Sequence, residues 1–155
     1  MSLTEAMRNA LEVSVLKEQE AHDFYAAAAR KVQDKTLREL FEQLADDEIG
    51  HREFLQKLLL DDAPPMTIKP QPQDYKLAEE IIDEKPDLSI DMPFPQAVAL
   101  AIKREEEAMQ TYAELAEEAG PGDMGTLFTN LKNMEQAHKT ALEAVYMNVA
   151  YAEVW

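Results

Sequence analysis

The chain has 155 residues, 46% apolar and 30% charged, a composition that suits one folded domain over 1–155 and argues against wholesale disorder. Fifteen Lys and Arg stand against 31 Asp and Glu, and a net charge of −16 disfavours phosphate backbones and anionic lipid, so neither nucleic acid nor membrane is expected as a partner. Cysteine is absent, which excludes disulfides, thiolate metal sites and a Cys nucleophile; with no leader pattern and no apolar run near the ~18 residues of a membrane span, the expected location is cytoplasmic.

Proline and glycine divide the chain. Seven of the eight prolines fall between Pro64 and Pro95, the eighth is Pro121, and the glycines are Gly50, Gly120, Gly122 and Gly125. The stretches between them are rich in good helix formers and show no sustained period-two alternation, so an all-α chain of four long helices is expected. The first spans about 4–32, with Ser2 and Glu5 at capping-box spacing, and its apolar stripe runs Met7, Leu11, Ser14, Ala21, Tyr25, Ala28, Val32. The second spans about 36–60, with Leu37, Phe41, Leu44, Leu55 and Leu58 on one face. A Pro-rich crossover over 61–94 follows, carrying one short helix around Tyr75–Asp83. The third helix, about 95–119, opens on Pro95, suited to a first turn, and shows Val98, Ile102 or Ala101, then Ala108, Tyr112, Leu115 and Ala119 on one face. The fourth, about 123–150, shows Phe128, Leu131, Leu142, Val145 and Val149. The joins at 33–36 and 119–124 are short, so helices one and two, and three and four, form antiparallel hairpins. The long crossover lets helices two and three run parallel.

Each apolar stripe is interrupted by residues of the wrong type: Glu18 in the first, Glu48 and His51 in the second, Glu105 in the third, Glu135 and His138 in the fourth. The interruptions repeat. A shift of 87 residues carries Glu18 to Glu105, Tyr25 to Tyr112, Glu48 to Glu135 and His51 to His138. Spacing i, i+3 places the Glu and His of each second helix one turn apart on one face. Chance agreement of two histidines with a Glu at −3 and another at −33 is on the order of one in a thousand. Four carboxylates and two imidazoles converging at mid-bundle would balance two divalent cations, whereas the same carboxylates alone would repel one another at a large desolvation cost. Oxygen-rich ligation with two imidazoles suits iron, with manganese as the alternative. In this reading Glu48 and Glu135 bridge, Glu18, His51, Glu105 and His138 are terminal, and the spacing leaves open which His serves which metal. Tyr25 and Tyr112 either donate to ligand carboxylates or are ordinary core tyrosines. His22, with Gln19 at −3, stays outside the site; Gly50 either allows close helix approach or is a tolerated defect; Asp46-Asp47 and Glu105–Glu107 read mainly as solvated faces.

The pattern resembles the ferritin-like carboxylate-bridged di-iron proteins. The stretches Glu18-Gln19-Glu20-Ala21-His22-Asp23-Phe24-Tyr25 and Glu105-Glu106-Glu107-Ala108-Met109-Gln110-Thr111-Tyr112 resemble the rubrerythrin family within them. The resemblance implies a ferritin-like four-helix bundle whose two irons react with dioxygen or peroxide, supplied by an external electron donor. Two departures stand out. Rubrerythrins usually carry a following rubredoxin-like domain with four cysteines, and this chain has no cysteine and ends at Trp155, so that module is not expected. They also carry a further carboxylate one turn along the third helix, where this chain has Ala108. The expected activity is a di-iron oxidoreductase of peroxidase or ferroxidase type. The alternatives are an iron-sequestering protein without turnover and a bundle that metals merely hold together. The apolar tail Tyr146, Val149, Tyr151, Val154, Trp155 either covers the bundle end or pairs with another subunit, and a homodimer or higher homo-oligomer is expected.

Overall fold

The computed structural model describes residues 3–60 and 93–149. Four helices account for nearly all of them: α1 (Glu5–Lys31), α2 (Lys35–Leu60), α3 (Phe94–Ala119) and α4 (Asp123–Val149). The expected crossover and its short helix fall within residues 61–92, outside the described residues, as do Ser2 and the tail beyond Val149.

The helix ends follow from local chemistry. The Thr4 hydroxyl caps α1, accepting from the Met7 amide at 3.1 Å. Asp34 caps the start of α2, its carboxylate accepting from the Leu37 amide at 2.9 Å. A cap of this kind is worth about 1 kcal/mol. Pro95 sits in the first turn of α3, where its missing N–H has no intrahelical partner to lose. Gly120 ends α3 at φ 73, its amide returning to the carbonyls of Ala116 and Glu117, a conformation that favours glycine. Gly125 lets α4 start close by: a Cβ there would collide with the Gly120 carbonyl oxygen.

α1 packs along α2 and α3 along α4, whereas the two hairpins meet across a looser seam. Two apolar clusters fill the ends. One joins Phe24, Tyr25, Ala28 and Val32 of α1 with Phe41 and Leu44 of α2, Phe94, Val98 and Ile102 of α3, and Leu142 and Val145 of α4. The other joins Met7 and Leu11 with Leu55 and Leu58, Tyr112 and Leu115, and Leu127, Phe128 and Leu131. Each fully buried Leu or Phe contributes about 1.5–3 kcal/mol. The memberships also set directions: the start of α1 and the end of α2 share a cluster with the end of α3 and the start of α4. Helices α2 and α3 are therefore parallel, and Leu60 and Phe94 lie at opposite ends of a ferritin-like four-helix bundle. No helix among the described residues is long and apolar enough to cross a membrane. Between the two clusters lies a polar layer.

Candidate metal centre

The middle turns of all four helices turn Glu18, Glu48, His51, Glu105, Glu135 and His138 into that layer, each no more than 3% exposed. The structure brings all six together, as two groups. Ligand atoms of Glu18, Glu48, His51 and Glu135 lie within 4.8 Å of one another, as do those of Glu48, Glu105, Glu135 and His138. Glu48 and Glu135 belong to both. In these groups His51 sits with Glu18, and His138 with Glu105.

Both imidazoles face the carboxylates through Nδ1. His51 Nδ1 is 3.0 Å from Glu135 Oε1, 3.5 Å from Glu18 Oε2 and 3.6 Å from Glu48 Oε1. His138 Nδ1 is 2.7 Å from Glu48 Oε1, 3.2 Å from Glu105 Oε2 and 3.7 Å from Glu135 Oε1. The rings themselves stack, with centroids 5.7 Å apart and planes 16° from parallel. Short as these distances are, Nδ1 of both rings, Glu18 Oε2, Glu48 Oε1 and Glu135 Oε1 are buried without a directional hydrogen bond. Buried polar atoms are almost always satisfied. Five that converge on one volume, from a set of hard oxygens and two imidazoles, fit a pair of divalent cations.

The electrostatics of the protein groups point the same way. Burial, then the neighbouring Glu105, Glu135 and Glu18 carboxylates, hold the Glu48 carboxyl well above the usual range. Burial and Glu135 push Glu105 up to about 8. Glu135 goes down to about 2, because attraction to His51 and His138 outweighs its burial. Burial would lower His51, but Glu135 and Glu18 beside it win and raise it to about 10. His138 is raised well above the usual imidazole value, Asp47, Glu105 and Glu48 overcoming the same burial. Protons on histidines and carboxylates thus do for this cluster what cations would do better. The charge is shared unequally, and Glu135 departs from the uniform carboxylate protonation that repulsion alone would give.

Tyr25 and Tyr112 donate to carboxylates of the opposite hairpin, Tyr25 to Glu105 Oε2 at 3.0 Å and Tyr112 to Glu18 Oε1 at 2.8 Å. Burial and the surrounding carboxylates raise both phenols well above their usual value, so they stay protonated donors. These bonds cross-link the two hairpins, and they fix the two non-shared carboxylates.

Several neighbouring residues depart from expectation. Asp47 is not a solvated carboxylate: its Oδ2 accepts from His138 Nε2 at 3.0 Å, which holds its carboxyl below the usual range against partial burial. Its position directly before Glu48 was the available signal. Glu106 reaches the fully buried Lys139 at 3.0 Å, and Glu143, one turn along α4, lies 3.7 Å from the same ammonium. Glu106 is therefore part of a buried ion-pair group between α3 and α4. The Gly50 position opens onto empty space rather than a close helix contact. His22 stays outside the cluster, donating from Nδ1 to the Ala45 carbonyl at 2.8 Å and tying α1 to α2. Ala108 lines a cavity of about 410 Å³ that opens along the α1–α3 seam and reaches Glu18, Glu48, Glu105 and Glu135; Ala10, Ser14, Ala21 and Thr111 leave it room.

Comparison with known proteins agrees with this architecture. A family model described as Rubrerythrin matches residues 9–146. A solved structure of a hypothetical protein from Pyrococcus furiosus superposes with a TM-score of 0.70 at 24% identity, over 96% of this chain and 92% of that one, which shows the fold. No curated protein matches the chain.

Proposed function

The chain belongs to the rubrerythrin family, and from that premise we propose that it is a non-haem di-iron oxidoreductase that reduces hydrogen peroxide or dioxygen with electrons from an external donor. One observation carries the reading: two groups of three carboxylates and one imidazole, buried at mid-bundle, that share Glu48 and Glu135. Glu18 and His51 would hold one metal, Glu105 and His138 the other, and Glu48 and Glu135 both. Iron is the expected metal and manganese the alternative, by the hardness of the set. Two iron(II) ions held there would supply the two electrons that, with two protons, reduce one peroxide to two waters.

The chain's own residues do the rest. Tyr112 and Tyr25 orient the Glu18 and Glu105 carboxylates, so that the cage is formed before a metal arrives. The clusters at either end close the layer along the bundle axis, and the burial they give strengthens the charge interactions inside it. Both imidazoles must lose a proton from Nδ1 to serve as ligands, and Glu48 and Glu105 must also be ionised. The cavity beside Ala108 gives a small oxidant a path to the shared carboxylates, on the side where relatives carry a further carboxylate.

Iron analysis followed by oxidant titration tests the proposal. Protein loaded anaerobically should hold two irons per chain and consume one peroxide per pair, with repeated turnover when a donor is added. One bound metal or none defeats it. Many irons per chain would favour sequestration, and a metal pair inert to air and peroxide would leave only a structural role.

A further inference from the structure

The two histidines differ in what lies behind them. Nε2 of His138 donates to Asp47 Oδ2 at 3.0 Å, and Asp47 is itself held from the other side, its Oδ1 accepting from Gln43 Nε2 at 2.9 Å. Nε2 of His51, on a side chain 1% exposed, has no hydrogen-bond partner among the described residues. The internal repeat explains the difference: the 87-residue shift that equates the ligand positions takes Asp47 to Met134. A thioether is a weak acceptor and carries no charge. Met134 and His51 both line a cleft of about 350 Å³, together with Gly50 and Phe54.

A neutral imidazole has one N–H and one lone pair, and a metal needs the lone pair. Asp47 holds the proton of His138 on Nε2, which leaves Nδ1 free toward Glu48 and Glu105 and makes the ring more basic. No described residue fixes the corresponding proton of His51, and placing it on Nε2 leaves a buried donor without a protein partner there. Such carboxylate support typically changes metal affinity by roughly 10–100-fold.

We propose that Asp47 is a positioning residue that makes the Glu105–His138 position the tighter of two unequal metal positions, so that the centre fills in a fixed order, with the Glu18–His51 position loaded last and emptied first. This rests on the di-metal reading but on no redox chemistry.

Titration of the full chain with manganese(II) under argon, followed by calorimetry and by the loss of the free-ion paramagnetic signal, tests it. The His51→Ala chain should keep one tight manganese. The His138→Ala chain should keep one bound about 10–100-fold more weakly. Asp47→Ala should weaken the tighter step by a similar factor and leave the weaker one in place. Met134→Asp should strengthen the weaker step, a gain that no loss of fold can mimic. Far-UV circular dichroism of each variant checks that the bundle is intact. Equal affinities in the two histidine variants, or no response of either step to Asp47→Ala and Met134→Asp, overturn the proposal while leaving the di-metal reading standing. A native chain that binds no manganese and no iron overturns both.

Discussion

Removing metal from this protein should make its stability fall as pH rises through neutrality. The groups responsible are those whose folded proton affinity exceeds the unfolded one. Glu105 goes from 4.5 to about 8, so its contribution is complete below pH 4.5 and is lost as pH climbs through 8. His51 goes from 6.5 to about 10, so its contribution is complete below 6.5 and is lost on the way to 10. Between pH 6.5 and 8 the folded chain thus holds two protons that the unfolded chain has released. Each proton is worth about 1.4 kcal/mol per pH unit, so stability should drop by roughly 3 kcal/mol per unit. Glu48 and His138 shift in the same direction and steepen the slope. Glu135 at about 2 and the lowered Asp47 work oppositely: their stabilisation is present above the unfolded values and is lost in acid. The metal-free optimum should therefore lie in mildly acidic solution. Urea unfolding of chelator-treated protein, followed by circular dichroism at several pH values, measures the slope. Manganese(II) should reverse its sign, because the metal displaces those same protons. A metal-free midpoint that is flat or rises between pH 6.5 and 8 would refute the argument.

Glu48→Ala or Glu135→Ala should abolish paired metal binding and oxidant reactivity together, since each carboxylate belongs to both groups, while Glu42→Ala on the exposed face of α2 should leave metal stoichiometry unchanged; a silent Glu135→Ala would sink the shared-ligand assignment. Glu106→Ala strips one partner from buried Lys139, and should lower the thermal midpoint without changing how many metals bind. Tyr112→Phe removes the 2.8 Å bond to Glu18 and should cost about 1.5–3 kcal/mol in urea titrations along with roughly 10-fold or more in metal affinity; unchanged affinity would make it a packing residue only. Two glycines should respond with opposite signs in melting experiments. Gly50→Ala, facing open space, should stabilise by about 0.5–1 kcal/mol, and Gly125→Ala, colliding with the Gly120 carbonyl oxygen, should destabilise by about 1–3 kcal/mol.

What the sequence determined by itself is local or periodic. Proline and glycine placement marks the helix limits to within a few residues, because both act on the backbone at their own position. A stripe at steps of three and four says which face of each helix is buried, so Glu18, Glu48, His51, Glu105, Glu135 and His138 were legible as inward groups. The shift of 87 residues made their pairing into two halves legible too. Tertiary structure alone decided what depends on the rotation and offset of one hairpin against the other, which packing sets and spacing does not carry. Tyr25 serves Glu105 and Tyr112 serves Glu18, each across the bundle from the helix that bears it. Asp47 reads along α2 as one more surface acid, and becomes the support of a histidine 91 residues away only when α4 lies beside it. Glu106 likewise turns from solvent toward Lys139, because the α3–α4 packing buries an ammonium that must find a carboxylate.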